Sequence, residues 1–316
     1  FFRYTGNVNY QFNKRDKYHY YASVNYAKNY EYPSIDQLYT IVDDINAYDI
    51  RIGNPQLRNR VQHNLNFNAN FNTQNPKSLY SINSSFGGNY NRSLNPVTDS
   101  VINDPSGKRI SYFTNADKSN NLGLNYHFNI SRRFSKNNLQ LMYNGQFNSG
   151  RTPNYVDGLY NTSDTRNLAN QFTLQLSIGS LLIVDVGQSF QYFKSKQSAA
   201  ALTSFSNRST TTKLGLVLNF PTNVTISSTW DNVNNSNLDK PTVLWNSFVT
   251  YRFMKQQGEL KFAAMDMLKQ YQNINNSVNA YGTTTRITNG LQQFFLLTFS
   301  YYPRQFGKAE SRRPSR

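Results

Sequence analysis

The sequence predicts an all-β fold, a transmembrane antiparallel β-barrel, and three observations carry that prediction. Apolar and polar residues alternate with period two over long segments. Those segments run to roughly 10 to 14 residues, the length a strand tilted by about 45° needs to cross a bilayer, whereas soluble strands average about five or six. The connections between them alternate short and long, as they do when one rim carries tight turns and the other carries loops. Composition agrees: 23 Tyr and 22 Phe in 316 residues supply an aromatic face that disordered chains lack. The longest apolar runs, at 181–184 and 294–297, are about four residues, far short of the roughly 20 that a membrane-crossing helix requires.

In chain order, the alternation begins with Tyr4, Val8, Tyr10 and Phe12 and returns in Tyr18, Tyr20, Ala22, Val24 and Tyr26. It is clearest from Val61 onward, where Val61, Leu65, Phe67, Ala69 and Phe71 share one face and Asn64, Asn66, Asn68, Asn70 and Asn72 the other. Further copies are Leu122 to Ile130, Leu139 to Phe147, Leu168 to Leu176, Val184 to Tyr192, Leu214 to Phe220, Val243 to Phe253 and Phe295 to Tyr301. Short connections fall at 13–17, 72–77, 131–137, 179–180, 221–223 and 254–258; long ones fall at 31–60, 93–115, 150–163, 195–207, 232–241 and 269–280. In lipid every backbone amide must be paired, and a sheet achieves that only by closing.

This spacing gives about thirteen strands, with the first residue at an outer loop and the last on the inner side, whereas bacterial single-chain barrels have even counts with both ends inside. The odd count, and an opening Phe1-Phe2-Arg3-Tyr4 without initiator Met or signal-peptide pattern, predict a piece of something longer. The expected organisation is the C-terminal part of a barrel over 1–302, a basic periplasmic tail over 303–316, and missing N-terminal strands.

Aromatic residues flank the expected membrane borders. Trp230 and Trp245 bracket one long loop, while Tyr251, Phe253, Phe299 and Tyr301 stand beside short turns, so the set forms girdles at the lipid interfaces. A net charge of +16 raises nucleic acid as a partner, but the cations are scattered over turns and the tail rather than concentrated among stacking aromatics, and no nucleic acid is expected. Cations at the outer rim can instead meet anionic lipid head groups.

Acidic residues are more localised. Glu31, Asp36, Asp43, Asp44 and Asp49 fall in the longest loop, where no Lys or Arg occurs between Asn29 and Ile50. The loop reads either as an ordinary solvated segment or as a vestibule that draws cationic or metal-bearing cargo. Tyr39, Asp43, Asp44, Tyr48 and Asp49, with Tyr155 from a later loop, are the candidate ligand contacts. The spacing does not match a calcium loop. With no Cys, and with His19, His63 and His127 lacking nearby partners, no catalytic residue, metal ligand or cofactor-binding residue is expected.

Three motifs resemble the barrel of TonB-dependent outer-membrane receptors. Tyr32-Pro33-Ser34-Ile35-Asp36-Gln37-Leu38-Tyr39 and Gly53-Asn54-Pro55-Gln56-Leu57 bracket the longest loop as that family's P-S-x-x-x-L and G-N-P-x-L segments do. Asp266-Met267-Leu268-Lys269-Gln270 is similar to its D-x-L-N-Q, and 293–302 to its closing aromatic strand. Arg58-Asn59-Arg60 departs from the family's Pro-Glu, and Lys269 from its Asn. The resemblance implies a barrel of about 22 strands around an N-terminal plug, in the outer membrane of a Gram-negative cell, with long loops outside and the C-terminus in the periplasm. It also implies outer-membrane lipid, the plug and a TonB-type energy-coupling complex as partners, and uptake of a large or scarce nutrient such as a siderophore, cobalamin, glycan or peptide. A non-transporting surface-binding or adhesion barrel and a passive diffusion channel remain open.

Overall fold

The computed structural model describes residues 2–39, 42–43, 48–199, 204–238, 240–270, 273–279, 282–288 and 291–302. The chain forms β1 (Tyr4–Lys14), β2 (Tyr18–Glu31), a short helix α1 (Ile35–Leu38), β3 (Val42–Asp43), β4 (Asp49–Ile52), β5 (Arg60–Thr73), β6 (Tyr80–Leu94), β7 (Val97–Asn103), β8 (Arg109–Asn115) and β9 (Lys118–Phe134). It continues with β10 (Asn137–Val156), β11 (Leu159–Ile178), β12 (Leu182–Gln197), β13 (Phe205–Phe220), β14 (Val224–Asn235), β15 (Thr242–Phe253) and β16 (Gly258–Met265). The last three are β17 (Asn273–Asn279), β18 (Gly282–Thr288) and β19 (Phe294–Tyr301).

Thirteen of these strands make the wall: β1, β2, β5, β6, β9 to β16 and β19 pair in that sequence, each antiparallel to the next. The count matches the one the periodicity predicts. The wall is open. Among the described residues β1 pairs with β2 alone and β19 with β16 alone, which leaves one side of each without a partner strand. Every residue of β1 is exposed, as an edge strand's would be.

The short turns lie at the predicted places and are tight. Asp16, Ser135, Gly179 and Asn223 take φ of 56°, 53°, 52° and 63°, the left-handed conformation that lets a chain reverse within two or three residues. The rim of long connections departs from expectation. Residues 150–163 are not a loop, because β10 and β11 stay paired through Val156 and Leu159 and close on Asp157-Gly158, with φ of 49° and 77°. Each strand is 20 residues long, about 65 Å at roughly 3.3 Å per residue, more than twice the hydrocarbon thickness. The alternation fades above the membrane because both faces of the hairpin meet water there. The last long connection also differs: it runs from Asp266 to Gln293 and carries β17 and β18 as a separate two-stranded hairpin.

Register turns the alternation into two faces. One cross-strand row reads Val8, Val24, Phe67, Gly88, Leu124, Phe147, Leu168. The next row on the opposite face reads Asn9, Ser23, Asn68, Gly87, Asn125, Gln146, Ala169. Gly88 is an approach site: a Cβ there would overlap the ring edge of Phe67, which lies across it and covers the bare backbone. Tyr126 covers Gly145 in the same way.

Candidate functional site

The long connections fold together instead of hanging free. Ser34 opens α1, its backbone N–H donating to Gln37 Oε1 at 3.0 Å. Gln37 in turn accepts from the Asn54 N–H at 2.6 Å. Gly53 packs so closely on the Tyr39 carbonyl that a Cβ would overlap it. Asn54 then reaches the other loop, its side-chain amide donating to the Phe113 carbonyl at 3.0 Å. Asn115 receives the Arg58 N–H at 2.6 Å and donates to the carbonyls of Arg58 and Asn95. The residues that carry the P-S and G-N-P resemblance are therefore the ones that fasten the longest outer segment to the next.

A small sheet continues this fastening. β4 runs parallel to β8, β8 pairs with β7, and β7 runs parallel to the tip of β10, with Ser100 and Val101 facing Tyr155 and Val156. Val101, Val156 and Pro153 are buried beneath it, and the Thr98 hydroxyl donates to the Pro153 carbonyl at 2.8 Å. Asp157 at the hairpin tip accepts from the Asn103 N–H at 2.7 Å. Asn161, fully buried on β11, donates to Asn154 and Gln197 and accepts from the backbone N–H groups of Ser198 and Ala199, so every polar atom of its amide is used.

The sheet places most of the sequence-derived contact residues on one assembly. Tyr48 is exposed, and its carbonyl accepts from the Arg109 N–H at 2.8 Å. Asp49 stands across from Arg109 in β8, and Asp43 across from Arg51 in β4. Tyr155 lies two strands away with its ring 5.4 Å edge-on from Tyr160. Tyr39 is exposed at the end of α1; Asp44 lies outside the described residues. Tyr112 and Tyr160, on the face of Tyr155, and Arg109, on the opposite face beside Asp49, are not singled out by the sequence; only the pairing of β8 with β4 and β7 and of β11 with β10 reveals them. Register thus sets Arg51 and Arg109 opposite two of the acidic positions of the longest loop.

The polar face of the wall below is built from amides and hydroxyls. Asn125, His127, Asn144, Gln146, Gln171 and Gln191 line a recess of about 390 Å³ on β9 to β12. Nearer the outer rim, Gln62, Asn64, Asn91, Ser119, Asn121 and Thr165 line another of about 490 Å³. His127 Nδ1 is 2.5 Å from Asn144 Oδ1, and His63 Nδ1 is 2.7 Å from the Tyr26 hydroxyl. Among the described residues no three carboxylates or imidazoles converge as metal ligands would.

The model of the outer membrane protein beta-barrel family matches residues 5–181. The chain belongs to that family. No curated protein matches it. Among solved structures it is similar to the ferric yersiniabactin uptake receptor FyuA from Yersinia pestis, with a TM-score of 0.49 and 11% identity over 95% of this chain and 50% of that one. It is also similar to the ferric-catecholate import receptor Fiu from E. coli K12, with a TM-score of 0.46 and 9% identity over 95% of this chain and 57% of that one. The RagAB peptide importer in its open-open state gives 0.45 and 10% over 91% and 40%. The chain spans about half the length of these structures.

Membership places this barrel in the outer membrane, and it gives the exposed aromatics a solvent. Tyr251 and Phe253 stack at 5.8 Å beside the 254–257 turn, Phe299 lies 6.2 Å from Phe253, and Tyr301 is exposed next to them. They form a compact aromatic cluster at the inner end of β15 and β19. Trp230 and Trp245 are direct register partners, as expected of a pair at one height. They sit mid-strand, with the Trp245 indole N–H donating to Ser228 Oγ at 2.9 Å.

Proposed function

We propose that this chain is the C-terminal part of a receptor barrel that captures a large or scarce nutrient at the outer surface and takes it up with energy supplied through a TonB-type complex. The observation that carries this reading is the folded outer assembly, in which two long connections and the tall β10–β11 hairpin are joined by parallel strand pairing. A passive pore has no need of a rigid outer head, whereas a receptor needs preorganised contacts. The exposed rings of Tyr39 and Tyr48, with Tyr155, are the proposed contacts, together with Asp43, Asp44 and Asp49 of the longest loop.

Support for a larger barrel comes from the two unpaired edges, since exposed backbone amides in hydrocarbon cost several kcal/mol each. Further strands of the same polypeptide close the wall, and a plug occupies the amide-lined interior. Long connections face outward, and the inner turns face the periplasm. The test is uptake by cells carrying the full-length parent, with and without a protonophore. Collapse of uptake on de-energising supports the receptor; uptake that persists makes the barrel a passive channel, and surface binding without uptake makes it an adhesion barrel.

A further inference from the structure

We infer that the outward face of β10 to β13, at the upper margin of its apolar band, is a docking site for the phosphate-bearing head group of an outer-leaflet lipid. The register gathers five cations on this one face: Arg151, Arg166, Lys194, Lys196 and Arg208, all exposed. A single carboxylate accompanies them. Asp164 is taken up by Arg151, whose Nε and Nη2 donate to it at 2.6 and 2.7 Å.

Height is the first argument. Arg166 and Ile178, Lys194 and Leu182, and Arg208 and Phe220 are pairs of cation and inner strand end, each separated by twelve residues. Twelve residues at about 3.3 Å each, on a strand tilted by about 40°, rise about 30 Å, just past an apolar band about 25 Å tall. The cations shift down the register rows from β11 to β13, and the inner turns shift the same way. A level belt on tilted strands has this slope.

The second argument is a like-charge pair, which Asp164 offsets only in part because Arg151 holds both its oxygens. Arg166 and Lys194 are direct cross-strand partners, flanked by Ser149 and Ser206 in the same row. Like charges directly opposite destabilise a sheet, and an anion seated between them removes the penalty. What lies beneath decides what kind of anion. The same face continues downward through Leu168 and Tyr192 to Phe172, Leu174 and Val186, the last three of them exposed. A lipid with phosphate above and acyl chains below satisfies both parts at once, while free phosphate or nucleic acid leaves the apolar part bare. These side chains point away from the interior, so the site is independent of uptake and rests only on the long connections facing outward.

The test uses the full-length parent in phosphatidylcholine nanodiscs doped with bisphosphorylated lipid A, with retained lipid counted by native mass spectrometry after delipidation. Wild type should retain it. Combined Arg166→Gln, Lys194→Gln and Arg208→Gln should weaken retention roughly a hundredfold, about fivefold for each cation. Arg132→Gln with Arg133→Gln, at the inner rim, should change nothing, and Lys194→Arg should keep both retention and the heat-modifiable gel mobility of a folded barrel. Equal retention by the triple variant, equal retention of dephosphorylated lipid A, or displacement by inorganic phosphate as readily as by lipid would each overturn the site.

Discussion

Replacing Phe67 with arginine puts a cation on the face that carries the aromatics, six residues from Thr73 at the inner end of β5. That is about 15 Å up a tilted strand, close to mid-membrane, where Arg on the lipid side of a barrel costs about 2–4 kcal/mol. The lost ring adds to this: it covers Gly88 and stands 5.3 Å from Phe86, an aromatic contact worth about 0.5–1.5 kcal/mol beyond area burial. The sum is about 2.5–5.5 kcal/mol, a shift in the folding equilibrium of about sixtyfold or more at about 1.4 kcal/mol per tenfold. Asn66→Arg, one residue away on the polar face between Asn25 and Asn89, should stay within about 0.5 kcal/mol. The assay is urea titration of the full-length parent in phosphatidylcholine vesicles, read by heat-modifiable gel mobility. Equal penalties for the two variants, or a larger one for Asn66, would refute the assignment of faces.

Gly145→Ala should destabilise the barrel by about 1–3 kcal/mol in the same titration, because the new methyl overlaps the Tyr126 ring and the ring's hydroxyl is already committed to Asn170. Tyr48→Cys should react with an impermeant thiol label on whole cells, and Asn75→Cys in the β5–β6 turn should not; the reverse order would invert the topology. Arg151, hydrogen-bonded to Asp164 above the membrane, holds that carboxyl below its usual range, with Arg166 and Lys196 helping. A depressed carboxyl contributes stability above its unfolded value, near pH 4, and loses it as pH falls through the folded value. Asp164→Asn should therefore lower the thermal midpoint at neutral pH and match wild type in strong acid; a gap that widens on acidification would contradict the pairing. The 316 residues expressed alone should aggregate or stay protease-sensitive through the free edges of β1 and β19, and a stable, resistant monomer would argue against further strands.

The wall was legible because lipid and lumen write opposite chemistries on alternate residues. Asn64 to Asn72 against Leu65 to Phe71 gives both the strand and its faces, and tight turns follow wherever the alternation pauses briefly. Above the membrane that code lapses. Arg151-Thr152-Pro153-Asn154 and Thr162-Ser163-Asp164 read as loop, although the backbone continues its ladder, since water on both sides imposes no alternation. The outer assembly was invisible for another reason: Asp49 meets Arg109, and Ser100 meets Tyr155, across more than fifty residues of chain, and nothing local in a sequence records such pairing. Gly53 and Asn54 stood out as a motif, but their work, a close approach to Tyr39 and a bridge to Phe113, needs coordinates.

The two rims of this wall are unequal in what they offer a neighbour. The inner one is a row of reversals only a few residues long, several locked by backbone in the left-handed region, with aromatic rings turned outward just above. Such a border has little backbone freedom to reshape around another protein, and what it offers is exposed side chain such as that of Arg15. A neighbour that meets this rim therefore finds a fixed row of turns rather than a surface that folds around it.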